Sequence, residues 1–172
     1  MKNKTESNEN NQDIQKLGEL INDIDIAMLT TIDNDGSLRS RPMGTQEIEF
    51  DGDLWFFTSA DAAKVHETRQ HQQVNVSYAD PKAQSYVSVS GHAQLVRDQQ
   101  KMKELWSPIY KAWFPDGLDD PNLALLRVQV DKAEYWESAN GMVVQLVGFA
   151  KALVTGEQYQ GGENAKVNLK GR

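Results

Sequence analysis

The amino-acid sequence predicts a mainly β protein, a six-stranded antiparallel barrel with flanking helices. Strand-length apolar runs recur along the chain, tight-turn signals separate several of them, and stretches of helical character are inserted between. At 172 residues the chain has room for one domain. That domain is expected over residues 13–170, behind an Asn-rich polar tail at residues 1–12 that is expected to be disordered.

The elements follow in order. From Asp13, the residues Ile14, Leu17, Leu20, Ile21 and Ile24 recur at the spacing of one helix face. Ile26 to Ile32 reads as a strand, and Asp33-Asn34-Asp35-Gly36 behind it is a hairpin signal. The returning strand runs from Ser37 to Phe50 and ends at the turn Asp51-Gly52. Leu54 to Thr58 is the third strand, aromatic on both faces and expected to be buried on both. A helix is expected from Asp61 to Arg69, with Asp61 in its first turn. Val74 to Tyr78 is a fourth strand stopped by Asp80-Pro81, and Tyr86 to Val96 alternates polar and apolar residues as a fifth. Asp98 is placed to cap a helix reaching Ala112, with Met102, Leu105, Trp106 and Ile109 on one face. The acidic loop Pro115 to Pro121 leads to a sixth strand, Leu125 to Trp136. Met142 to Val154 fits strand or helix, the shared face of Leu146, Phe149, Ala150 and Leu153 favouring helix; from Gly156 the chain is polar and expected to be loose.

Composition narrows the function classes. A formal charge of −7 argues against a nucleic-acid partner, whose phosphates the chain repels overall. The absence of cysteine removes disulfides, thiolate metal sites and cysteine nucleophiles, and it suits a reducing, cytoplasmic compartment. The apolar runs are too short to span a bilayer, and the polar N-terminus lacks the apolar stretch of a secretory signal, so no membrane partner is expected. Neither nucleotide-binding glycine loop is present, nor is a G-x-S-x-G elbow. His66, His71 and His92 are not spaced as metal ligands and are expected to be surface or hydrogen-bonded residues. Asp33 to Gly36 is no calcium loop, because Pro42 stands where the closing Glu belongs. No metal site is expected.

In so acidic a chain the place of each cation is informative. In an extended strand Arg39, Arg41 and Met43 point to one side, Ser40 and Pro42 to the other. Two guanidinium forks on one face can hold a dianion, although two solvated arginines have the same spacing. Pro42 offers no N–H to a neighbour and belongs at a sheet edge. Phe57, Thr58 and Ser59 lead into a helix start, where an anion is favoured and Lys64 adds a full charge; the two hydroxyls serve equally as helix caps. Trp136, closing the last strong strand, packs in a core or against a flat cofactor.

Together, Met28-Leu29-Thr30-Thr31, Ser40-Arg41-Pro42-Met43, Leu54-Trp55-Phe56-Phe57-Thr58-Ser59 with Lys64, Val89-Ser90-Gly91 and Glu134-Tyr135-Trp136 resemble one family in order and spacing. It is the general stress protein branch of the pyridoxamine 5'-phosphate oxidase-like FMN-binding split β-barrels, and the resemblance runs from Ile14 to Leu169. It implies a homodimer with FMN at the subunit interface and an unknown small-molecule redox partner. The flavin and its phosphate would be held by Arg39, Ser40, Arg41, Pro42, Met43, Phe57, Thr58, Ser59 and Lys64, with Tyr86 and Trp136 contributed from the other subunit. True pyridoxamine 5'-phosphate oxidases carry an Arg-x-His element after the tryptophan; no Arg or His follows Trp136 before Arg172, which speaks against vitamin B6 oxidation. The expectation is a flavin-dependent oxidoreductase with catalytic residues unknown, against a non-catalytic flavin carrier or sensor, or the same barrel holding haem or a deazaflavin.

Overall fold

The computed structural model describes residues 2–138 and 162–169, with side chains from Asn11 onward. The element over Met142 to Val154 lies outside the described residues. Those described form a mainly antiparallel sheet of seven strands with three α-helices. The strands are β1 (Ile26–Ile32), β2 (Leu38–Gly44), β3 (Asp53–Ser59), β4 (Gln73–Asp80), β5 (Ser85–Val96), β6 (Leu123–Glu137) and β7 (Glu163–Asn168). The helices are α1 (Lys2–Asn22), α2 (Ala63–Gln70) and α3 (Gln99–Leu105). No helix among the described residues is long and apolar enough to cross a membrane.

The strand order is β2-β1-β4-β5-β6-β3, with β7 also paired to β6. Two expectations are corrected here. The expected barrel is not closed: β2 and β3 come close as the two ends of the path, yet no ladder joins them. Nor are there six strands, because Glu163–Asn168, expected to be loose, pairs with Lys132 to Glu137. Its sequence is too polar to signal a strand; only Val167 is buried, and an edge strand keeps its other side chains in water. β6 therefore serves two neighbours along one edge, β3 over Leu123 to Gln129 and β7 further on.

Local chemistry explains most boundaries. The β1–β2 turn closes through Asp33 N–H to Ser37 O (2.8 Å), with Gly36 at φ +82°, a backbone that glycine adopts freely. Between Ser90 and Gly91 the β5–β6 register shifts, a β-bulge at which a Cβ on residue 91 would lie 2.2 Å from Gln129 O. Helix α1 carries its apolar stripe Ile14, Leu17, Leu20, Ile21 and Ile24 into the main core, as its spacing predicts. It extends back to Lys2 through the segment expected to be disordered; once an anchored helix exists, each added residue gains a hydrogen bond without a new nucleus. Asp98 caps α3 by accepting from Gln100 and Lys101 N–H. The expected continuation to Ala112 is broken, because Pro108 pushes Ser107 into extended backbone and a 3-10 turn over Pro108–Ala112 follows. That turn leaves Ile109 exposed, against its expected place on the buried face.

Two apolar clusters result. The main one lies between α1 and the inner sheet face, with Leu29, Phe56, Val76, Val89, Val128 and Tyr135 among its members. A second, of Met102, Leu105, Leu123 and Leu125 with Trp55, Phe57, Trp106 and Phe114, covers the other side of β3. The two-sided aromatic character of β3 is thus used twice, Phe56 inward and Trp55 and Phe57 outward. Leu118, in the acidic loop, packs on the second cluster, so that loop covers apolar surface. His92 is hydrogen-bonded, its Nδ1 2.9 Å from Asp131, while His66 and His71 are exposed.

Candidate functional site

The cations singled out in the sequence converge at one end of the sheet. β2 is an edge strand, as Pro42 requires. Its alternation sends Met43 into the core, 4% exposed, and Arg41 and Arg39 along the same face towards α2. There they meet Glu67, which sequence reasoning did not single out. Arg41 Nη2 donates to Glu67 Oε2 at 2.7 Å and Arg39 Nη1 to Oε1 at 3.1 Å. Thr31, in register with Arg39 on β1, accepts from Arg41 through Oγ1 and donates to Glu67. Arg39 also reaches Asp33 at 3.2 Å.

Glu67 is only 4% exposed, whereas Arg39 lies mostly in solvent, so one buried carboxylate anchors two arginines of differing exposure. Lys64 stands three residues earlier in α2, on the same helix face. Burial holds its amine below the usual lysine range; nearby Arg41 lowers it further, and Glu67 partly offsets both. Three cations thus surround one carboxylate. With Asp33 on Arg39 counted beside Glu67, the formal sum is +1 in a chain whose total is −7, a locally positive field that favours an anion.

Other expected site residues lie elsewhere. Thr58 is buried, and its Oγ1 donates to Ser59 O at 3.3 Å. Ser59 donates to Asp61 at 2.6 Å and accepts from Asn122 at 2.7 Å. Neither caps α2, whose N-cap is Ala62 without a side-chain bond; the Thr58 hydroxyl stays within β3, and that of Ser59 ties the strand end to Asp61 and Asn122. Phe57 meets Trp106 edge-on at 5.5 Å and Tyr110 at 4.9 Å. Ser40, hydrogen-bonded to Thr30 at 2.7 Å, and Pro42 face the opposite side of β2 from the arginines. Tyr86 and Trp136 oppose each other across β5 and β6 on that same outer face. The outer face is unusually apolar: Ile26, Met28, Leu38, Tyr86 and Trp136 are all exposed there.

The family profile described as "Pyridoxamine 5'-phosphate oxidase like" matches residues 12–160. Protein bli-3 of Neurospora crassa is 30% identical over 156 residues, covering 85% of this chain and 75% of that protein. General stress protein 26 of Bacillus subtilis is 26% identical over 126 residues, 70% of this chain and 86% of its own. The crystal structure of the general stress FMN/FAD binding protein from Xanthomonas citri superposes with a TM-score of 0.65 at 31% identity, covering 76% of this chain and 93% of that one.

Proposed function

The chain belongs to the pyridoxamine 5'-phosphate oxidase-like family, beside the general stress proteins, and from that premise we propose that it binds FMN through Arg39, Arg41 and Lys64. The observation that carries this reading is the cluster of three cations about Glu67 at the meeting of β2 and α2. The donor set fits a phosphate monoester: two planar forks and one ammonium in a cluster that stays net positive after Glu67 and Asp33 are counted. Each charged hydrogen bond to phosphate contributes roughly 1.5–3 kcal/mol. The edge backbone of β2 at Ser40, Pro42 and Met43, with Phe57, Thr58 and Ser59 of β3, forms the walls for the ring in this reading, and the open sheet is the family's split barrel. Bound FMN would supply hydride and single-electron chemistry. The chain binds and orients it. Glu67 is already shared by three donors, so it is no free general base.

Lys64→Ala is expected to weaken FMN by about 1.4–3 kcal/mol, tenfold or more, in a fluorescence titration. Affinity should also fall as pH rises through the Lys64 pKa, beginning below the ordinary lysine range, because the neutral amine no longer opposes the phosphate. A variant with unchanged affinity and pH profile removes Lys64 from the site. Protein that stays colourless after incubation with FMN and desalting removes the cofactor. Reduction of the bound flavin by NAD(P)H, with reoxidation by an acceptor, marks an oxidoreductase; a carrier or sensor shows neither.

The exposed apolar outer face supports a homodimer packed through it, bringing Tyr86 and Trp136 to the second copy's flavin. Sedimentation should give a dimer, and Trp136→Lys should shift it towards monomer and weaken FMN together. A wild-type monomer that binds FMN tightly contradicts the shared site.

A further inference from the structure

We propose that Glu67 is the positioning residue of the phosphate grip, holding Arg39 and Arg41 in the geometry that distinguishes a phosphorylated flavin from an unphosphorylated one. The inference rests on the FMN reading above and concerns a residue that never touches the ring in that reading. A surface arginine has many rotamers, and ordering it at the moment of binding reduces affinity. Here that ordering is done beforehand. Glu67 accepts from both guanidinium groups, one through each carboxylate oxygen, and Thr31 bridges it to Arg41. The carboxylate is itself fixed by burial in α2 between Val65 and Thr68, both buried. Each guanidinium has five N–H donors, so those left over remain for an incoming oxyanion. Glu67 also tempers the cluster, since three bare cations so close would repel one another.

A role confined to packing would alter the binding of all flavins alike. A role in aiming the arginines concerns the phosphate alone, so FMN and riboflavin separate the two. The test titrates wild-type protein and Glu67→Gln, close in shape but uncharged, with each ligand in turn. Glu67→Gln should weaken FMN tenfold or more and leave riboflavin within about twofold. In an Arg39→Ala background the same change should cost FMN less than in the wild type, because Glu67 acts partly through Arg39.

Equal loss of both ligands, or FMN bound by Glu67→Gln as tightly as by wild type, overturns the assignment while leaving the flavin reading intact. Wild-type protein that binds neither ligand overturns the flavin reading and this inference with it. Should Glu67→Gln fail to fold, Arg39→Ala still decides: its exposed side chain can be removed without opening the core, and riboflavin weakened as much as FMN refutes the phosphate-directed role.

Discussion

Replacing Arg41 with alanine is expected to destabilise the fold by about 3 kcal/mol, as well as to weaken FMN. The Arg41 side chain is 17% exposed and that of Glu67 5%, so their 2.7 Å contact is largely shielded from water. Breaking such a pair leaves a buried carboxylate without its nearest counter-charge, at a cost of roughly 3–5 kcal/mol. The lower end applies because Arg39 and Thr31 still face Glu67. Urea denaturation reads this as a midpoint lowered by roughly 1–2 M. Arg39→Ala is the informative companion. Its side chain is 52% exposed, and the loss of so solvated a pair costs no more than about 1 kcal/mol. Both variants weaken FMN, and only Arg41→Ala unfolds early. Equal stability of the two would mean that Glu67 is served as well by Arg39 as by Arg41.

Gly91→Ala is expected to have an effect of similar size with no bearing on charge. A Cβ at that position would lie 2.2 Å from Gln129 O, 3.0 Å from its carbonyl carbon and 3.1 Å from Val128 Cγ1. Two of these are backbone atoms of β6, which cannot rotate away as a side-chain tip can. The β5–β6 ladder must open at the bulge, and over-packing of this kind costs about 3 kcal/mol or more. Thermal unfolding should fall by roughly 6–12 °C for a domain of this size. An unchanged midpoint would show that the bulge relaxes freely. FMN affinity, measured well below the transition, should stay close to wild type, because the arginines sit on β2.

These two residues also show what the sequence could and could not reveal. β1 was legible to the residue, Ile26 to Ile32, because its apolar run is closed by a turn whose chemistry is local. The two faces of β3 were legible for the same reason: aromatic residues on both sides leave no side for water. β7 was not, since Glu163 to Asn168 owes its strand character to the edge of β6 and not to a pattern of its own. Helix α3 was overextended because Met102, Leu105, Trp106 and Ile109 keep helical spacing across a proline that the backbone does not tolerate there. In the site, Arg39, Arg41 and Lys64 could be picked out as cations in an acidic chain. Glu67 could not, because Lys64 and Glu67 at i, i+3 look like any surface ion pair on a helix. Only the β1–β2 register, which sets Thr31 beside Arg39, brings both arginines onto that carboxylate.

The divided edge of β6 has a consequence for the order of assembly on the ribosome. Its first half can pair with β3 as soon as it emerges, because β3 precedes it in the chain. Its second half waits for β7, which begins only at Glu163. At about 5–20 residues per second, that leaves a row of unpaired N–H and C=O groups exposed for roughly a few seconds on every nascent chain. Over this stretch Lys132 and Trp136 are exposed, a charge and an aromatic side chain four residues apart on one strand. The charge discourages a second nascent chain from docking on the open edge while the aromatic invites one, so the time spent waiting for β7 is when this protein is most prone to mispair.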